Sequence, residues 1–517
     1  MKNLLITFIL LLFFIGCGGG GEKVTTLPTN ISEPTIIIGV EQNSSDSGPL
    51  TILGHISYEY YVPTHTNGTT TLSSSNIATK PAKEIIVKAV NENGEIVERN
   101  TTDSNGDYIL NNIPENYNIK IRAYAQLKSA NWDVRVVNNQ QNDAQYVSEG
   151  DLINTGTSDQ NRTLKMVVSN LSSAPFAMLD DIYQAMQKVL VANSNASFPP
   201  LLVQWSTKNI TQITNYNGNG IIQVLGDQQG DSDEYDNHVI IHEWGHYFED
   251  KFSRSDSIGG AHGSGEKLDI RVAFGEGWGN AWSAIATDDP YYYDTHATNN
   301  GDKSGWNMNI ESVNQKDTPG YFSEASIQRI LYDLYDNNDD GQDTLSLGFT
   351  PLYNIFVNQQ KQTPAFTSIF SFITELKNAN SSNSGKIDNI TSSENISDIA
   401  DIYGTQNDSN LYKSINIGDT ISISTSTTNG TYNKLENHRY IRFTIATAGD
   451  YTIDITTTSS NNPDPDFKLY FRGGVVEEGI SSGLNESKTV NLSTGDYLLD
   501  IYDANSQNSA TFNVTIN

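Results

Sequence analysis

The pentapeptide HEWGH at 242–246 constrains the fold of this chain more than any other feature. Four residues of α-helix turn through about 400°, so a helix projects His242 and His246 from one face, one turn apart. Two imidazoles at that spacing can hold one Zn2+. Glu243 follows His242 directly and can reach a water on such a metal. Val239, Ile240 and Ile241 give the segment an apolar side to bury. Asp233, Glu234 and Asp236 stand near its expected start, where the helix dipole favours negative charge. A purely structural pair of helix histidines is the competing reading. Clustering argues against it: five of the eight histidines, His238, His242, His246, His262 and His296, fall between 238 and 296.

A catalytic zinc takes three protein ligands and keeps one position open, so the third ligand is expected from a second element. The stretch FGEGWGNAW at 274–282 offers Glu276 on a helix expected over 269–286. Asn280 lies one turn further along that face and can hydrogen-bond a ligating histidine. HExxH followed by a helix with Glu and, four residues later, an acid or amide is the gluzincin arrangement. Residues 236–286 resemble the thermolysin-like and fungalysin-like peptidases, and GEGWGN is similar to the GEGWxD stretch of fungalysins. The resemblance implies that His242, His246 and Glu276 bind Zn2+, that Glu243 is the general base and that Asn280 steadies a ligand. It also implies hydrolysis of a protein or peptide substrate through a zinc-activated water. Two departures stand out. Asn280 replaces the usual Asp and brings no negative charge to His242. The gap between His246 and Glu276 is longer than in thermolysin-like enzymes and holds SIGGAHGSG at 257–265, a Gly-rich loop able to carry His262 to a cleft. The oxyanion of peptide hydrolysis needs a further donor, which gluzincins take from downstream of the third ligand. Tyr321 is the expected donor, with His262 and His296 as alternatives; Tyr321 as a packing aromatic is the competing reading. Trp244 and Trp278 are expected to fill a core beside the site.

At 517 residues the chain is too long for one core, and 26 Tyr with 18 Phe supply apolar material for several. The expected fold is multidomain: an α+β gluzincin-like catalytic domain over 171–408 between two β-sandwich domains, 49–170 and 412–517. In the first, KEIIVKAVNENGEIVERNTTDSNGDYILNNIP alternates apolar and polar residues around turns at 92–94 and 104–106. The run 103–114, with Gly106, Tyr108 and Ile113, resembles the transthyretin-like or carboxypeptidase-regulatory-like sandwich. In the middle region helices are expected over 176–193, 236–252, 269–286, 323–336, 349–361 and 365–378, after short strands at 201–205 and 221–226. In the last region strands such as YIRFTIA, FKLYFRG and TFNVTIN recur at sandwich spacing, and the order resembles the bacterial pre-peptidase C-terminal domain.

Two acidic runs raise a second cation. Asp336, Asn338 and Asp340 alternate before Gly341 as in the first half of a Ca2+ loop, though Leu347 stands where the closing Glu belongs. A polar turn ending a helix is the competing reading. Asp231, Ser232, Asp233 and Glu234 either bind Ca2+ or simply start a helix.

A net charge of −30 repels phosphate backbones, so a nucleic-acid role is excluded. Lys2 and the apolar run Leu4–Ile15 read as an export signal too short to span a bilayer. Phe-Ile-Gly-Cys at 14–17 resembles a bacterial lipobox. That resemblance implies a signal peptide over 1–16, lipidation of Cys17, a flexible tether over 17–48, and membrane attachment through the lipid alone, on the bacterial outer membrane or cell surface or after release. Cys17 is the single cysteine, so no internal disulfide can form. Two functions follow: a zinc metalloendopeptidase of extracellular or envelope proteins, or a catalytically weak surface binder or adhesin built on a protease fold. An aminopeptidase ranks lower, because no GxMEN-like motif is present.

Overall fold

The structure is a computed structural model and describes residues 33–211, 213–299, 301–337, 344–505 and 508–517. The signal segment 1–16, Cys17, the first half of the expected tether, and Asn338 and Asp340 lie outside the described residues. The chain is a β-rich multidomain protein with several sheets and a set of helices. No described helix is long and apolar enough to cross a membrane.

The turns at 92–94 and 104–106 form where expected, because Gly94 and Gly106 adopt φ of +80° and +81°, a region that disfavours side chains. The strands around them belong to two larger sheets. One runs through strands Asn215–Tyr216, Ile221–Gln223, Leu201–Gln204, Asp133–Asn138, Ala144–Glu149, Asn118–Lys128, Ile85–Asn91 and Ile96–Thr101. The other is built around the long strand Leu50–Tyr61.

Two expectations are corrected here. The boundary at 170/171 is not a break: Asp133–Asn138 pairs in parallel with Leu201–Gln204, from Val134 opposite Leu201 to Val137 opposite Gln204. A hairpin of Thr64–Thr66 and Thr69–Leu72 likewise adds to the hairpin Tyr291–Ala297 and Lys303–Asn309. One apolar core therefore extends from Ile52 and Val87 through Trp244 and Trp278 to Leu376. Residues 33–48 are also not free tether. Ile36–Ile37 pairs with Ala144–Glu149, and Glu41 accepts from Lys88 (2.5 Å) and Arg122 (2.8 Å).

Helix α1 (Ala174–Ala192) buries Leu179, Ile182, Met186 and Val189 and packs on strands 118–128 and 133–138. Helices α2 (Asn237–Phe252) and α3 (Ile270–Thr287) lie against each other and against α1. α4 (Glu324–Asp333) packs on the far side of α3. α5 (Phe349–Asn354) runs into a π-helical turn, Ile355–Gln360, and is followed by α6 (Ile369–Ala379) and α7 (Ser384–Ser393).

The last region forms two facing sheets with a core of their own. In Ala510–Ile516 burial alternates strictly, with Phe512, Val514 and Ile516 inside. The two sheets are Tyr412–Ser414, His438–Ile445, Gly495–Asp503, Pro465–Phe471 and Gly474–Gly479, and Thr420–Thr425, Ala510–Ile516, Gly449–Thr457 and Asn485–Leu492.

This sandwich is joined to α3 by a buried ion network. Asp269 caps α3 by accepting from the Arg271 amide. Arg271, fully buried, donates to Asp269 (2.9 Å) and to Asp500 (2.9 Å) of the sandwich, and Tyr440 donates to Asp269 (2.6 Å). Burial pushes the Asp269 carboxyl up, but the Arg271 charge outweighs it and holds the group down at about 2. A depressed carboxyl stabilises the fold above its unfolded value and loses that stabilisation as pH falls through its folded value. The stability gap between wild type and Asp269→Asn, about 2 kcal/mol at neutral pH, is therefore expected to close as pH drops from about 4 to about 2. Denaturant unfolding of both proteins across that range measures it.

Candidate metal centre

The centre is made by two helices that approach closely because glycines face each other. A Cβ on Gly245 would lie 3.3 Å from the Gly279 Cα, and one on Gly279 would lie 2.6 Å from the His242 ring. On the opposite side of α3, a Cβ on Gly277 would meet Ile327 of α4 at 2.5 Å. The glycines of GEGWGN thus let α3 nest between α2 and α4. Behind them Trp244, Trp278 and Trp282 stack with Phe248 in a buried aromatic block, and the Trp278 indole donates to the Gly245 carbonyl at 3.0 Å.

The structure brings His242, His246 and Glu276 together. Nε2 of His242 and Nε2 of His246 are 3.1 Å apart, and Oε2 of Glu276 is 3.3 Å from the first and 3.5 Å from the second. A tetrahedral ion with bonds near 2.1 Å needs donors about 3.4 Å apart. Two imidazole nitrogens and one carboxylate oxygen at these spacings are a donor set that fits Zn2+.

Asn280 sits where the helix spacing places it, and its neighbours fix its orientation. The Ile310 carbonyl can only accept, so Gln328 presents Nε2 to it (3.0 Å). Gln328 Oε1 then accepts from Asn280 Nδ2 (3.0 Å), which leaves Asn280 Oδ1 to accept from His242 Nδ1–H (2.9 Å). This chain of bonds puts the free lone pair of His242 on Nε2, toward Glu276. It also accounts for the amide in place of a carboxylate: an acid at 280 would set an oxygen against Gln328 Oε1.

Glu243 is buried on the same cleft, and its Oε2 accepts from the Tyr216 amide at 2.7 Å. Burial raises its carboxyl above the usual range, against the lowering effect of His242 and His246. Glu276 is pushed up by burial, but the charges of His262 and His246 outweigh this and hold it well below that range. Burial opposes the charged forms of His246 and His262. The nearby carboxylates, Glu276 foremost, overcome it and raise the rings to about 9 and about 10.

His262 reaches the cleft. Its Nε2 is 3.3 Å from Glu276 Oε2 and its Nδ1 donates to Glu324 (2.8 Å) on α4. The loop that carries it is held by the C-terminal sandwich: Asn433 donates to the carbonyls of Gly259 (2.9 Å) and Ala261 (3.0 Å), Tyr432 to that of Ile258 (3.0 Å), and Lys434 to that of Ala261. Tyr321 does not reach the cleft, which corrects its expected place. Its hydroxyl donates to Asp408 (2.8 Å) and its ring packs on Phe322 and Phe370, because Gly320 and the entry to α4 turn it toward α6. His296 also lies off the cleft lining, on the strand paired with Lys303–Asn309. Asp336 stands just past the end of α4 and is buried.

The cleft encloses about 360 Å3 and is lined by Ile213–Tyr216, His242, Glu243, His246, His262 and Glu276 among others. Sequence reading missed Tyr216, Gln328 and Glu324. The last two sit four apart on α4, a spacing that puts them on one helix face; Tyr216 carries no comparable signal.

Residues 189–390, which contain the whole donor set, match the family model of the Mycolysin C-terminal domain, a peptidase-associated domain. No curated protein matches the chain. Among solved structures, the chain is similar to the pre-peptidase C-terminal domain of a collagenase from Bacillus anthracis, at 16% identity over 20% of this chain and 94% of that one, with a TM-score of 0.18. A periplasmic inhibitor of g-type lysozyme from Aeromonas hydrophila is similar at 13% identity over 20% of this chain and 97% of its own, with a TM-score of 0.14.

If the donor set holds zinc, Asn280→Ala is expected to weaken that binding about 10- to 100-fold, measured by competition with a chromophoric chelator. Asn280→Asp is expected to cost about 1–3 kcal/mol in unfolding free energy through the opposed oxygens, and Gln328→Ala in the same chain to recover part of that loss.

Proposed function

We propose that this chain is a zinc-dependent metalloendopeptidase of the gluzincin type, hydrolysing peptide bonds of extracellular or envelope proteins. The observation that carries the reading is the near-tetrahedral spacing of His242, His246 and Glu276 beside a buried carboxyl, Glu243, in one cleft. Bound by these three residues, zinc supplies Lewis acidity toward a substrate carbonyl and makes water acidic enough to attack at neutral pH. Glu243 accepts the water proton and delivers it to the leaving amine. Its raised proton affinity suits both transfers, and the Tyr216 amide keeps Oε2 fixed while Oε1 stays available. His262, whose Nδ1 donates to Glu324, holds Nε2 beside Glu276, where its N–H can donate to the carbonyl oxygen as that oxygen gains negative charge.

Substrate shape follows from the cleft wall. Strand Asn215–Tyr216 is the terminal strand of its sheet, and residues 213–216 line the cleft, which supplies a backbone edge for an extended peptide. The match to a peptidase-associated family over the residues that form the cleft supports the same class. A lipid on Cys17 would keep the enzyme at the cell envelope.

Purified protein is expected to hold one zinc per chain and to cleave casein. Glu243→Gln should retain the metal and lose about 10²- to 10⁴-fold in rate. His262→Gln should retain the metal and lose kcat about 10²-fold with little change in KM. Wild-type protein without zinc, or casein cleavage unchanged in Glu243→Gln, rejects the reading.

A further inference from the structure

Nine residues before His242 the chain buries a second group of acids. Asp231 and Asp233 lie on the turn that leads into α2, and Asp294 lies on strand Tyr291–Ala297; carboxylate oxygens of the three stand within 4.8 Å of one another. Asp233 is only 2% exposed. Its Oδ2 accepts from the Thr214 hydroxyl, but its Oδ1 is sealed from solvent and accepts no hydrogen bond. Oδ1 of Asp231 is in the same condition. Buried anions are retained only where a partner of opposite charge or a full set of donors compensates them.

The neighbouring protein cation does not do so. Lys303 Nζ has three hydrogens, and three acceptors take them: Glu234 Oε1 (2.6 Å), the Ser232 hydroxyl (2.6 Å) and the Ser232 carbonyl (3.0 Å). Asp236, the remaining acid of the run, is served by the Thr295 amide (2.7 Å) and hydroxyl (2.8 Å). What is left at Asp231 and Asp233 is a pair of sealed carboxylate oxygens whose backbone is already fixed. Asp231 bridges to His296, Ser232 bridges to Gly226, and the Ala297 amide donates to the Gly230 carbonyl (2.7 Å).

We infer that Asp231, Asp233 and Asp294 form a second metal site that takes Ca2+. An all-oxygen, carboxylate-rich donor set with no nitrogen or sulfur selects a hard cation over zinc. Its place gives it a role. The ion clamps the run into α2 onto the 291–309 hairpin, and so fixes the start of the helix that presents His242 and His246. Whether the cleft hydrolyses peptides does not bear on this site.

The test uses the full chain saturated with Zn2+ and freed of calcium. Addition of millimolar Ca2+ is expected to raise the thermal unfolding midpoint by roughly 3–8 °C, and titration calorimetry should show Ca2+ binding that Asp233→Asn weakens at least tenfold. Because Asp233→Asn relieves the crowding of this carboxyl with Asp231 and Asp294, its calcium-free midpoint should equal or exceed that of wild type, a result that loss of a structural contact would not give. Asp294→Asn serves in the same way if the first variant does not fold. Absence of a Ca2+-dependent shift in wild type, or a shift of equal size in the folded variant, overturns the site.

Discussion

The candidate metal centre depends on how closely α2 and α3 approach. Side chains at 245 and 279 would hold the helices apart, and the Gly279 position is filled on the α2 side by the His242 ring itself. With no Cβ at either residue, the imidazole of His242 can lie over the α3 backbone and still face Glu276, three residues back. The aromatic block of Trp244, Trp278, Trp282 and Phe248 makes the approach rigid, and the Trp278-to-Gly245 hydrogen bond ties the two backbones directly. A helix pair held at that distance sets donor spacings to a few tenths of an ångström, which an ion with near-tetrahedral demands requires.

The flanking β regions take part in this geometry. The N-terminal strands continue into the sheet whose last strand bears Tyr216, so the partner of Glu243 is positioned by a sheet whose first strand in the chain is Ile36–Ile37. The C-terminal sandwich reaches the centre twice: through Asp500 on Arg271, at the first turn of the helix that carries Glu276, and through residues 432–434 on the loop that carries His262. Removal of the sandwich would leave a fully buried guanidinium without one of its two carboxylates and the His262 loop without its hydrogen-bond donors. The flanking modules therefore brace the elements that line the cleft, and neither is only a spacer.

This explains what the sequence could and could not disclose. His242, Glu243, His246, Glu276 and Asn280 were legible because their relation is local: each pair is set by helical spacing within one segment, and a strong apolar pattern announces both helices. Tyr321 was misplaced because its direction is decided by Gly320 and by Asp408, 87 residues away. Tyr216 was invisible because a two-residue edge strand has no periodicity, and its role lies in a backbone N–H that every residue but proline possesses. The continuity of the sheet across 170 was hidden for a similar reason. The short apolar run Leu201–Gln204 reads as a strand from sequence, but its partner Asp133–Asn138 is chosen by the fold.

The charges in the cleft balance one another. Glu276 keeps its negative charge although burial opposes it, because His246 and His262 are driven to their protonated forms around it. Ligation of Zn2+ by these donors would require His246 as the neutral ring, so binding would be coupled to proton release. His262 is differently placed. Its Nδ1 is tied to Glu324 and its loop to the sandwich, so it remains beside Glu276 whatever the metal does. A ring held by its own carboxylate beside the candidate ligands is placed to donate to a substrate, and under the proposed function that duty is separate from the duty of holding the ion.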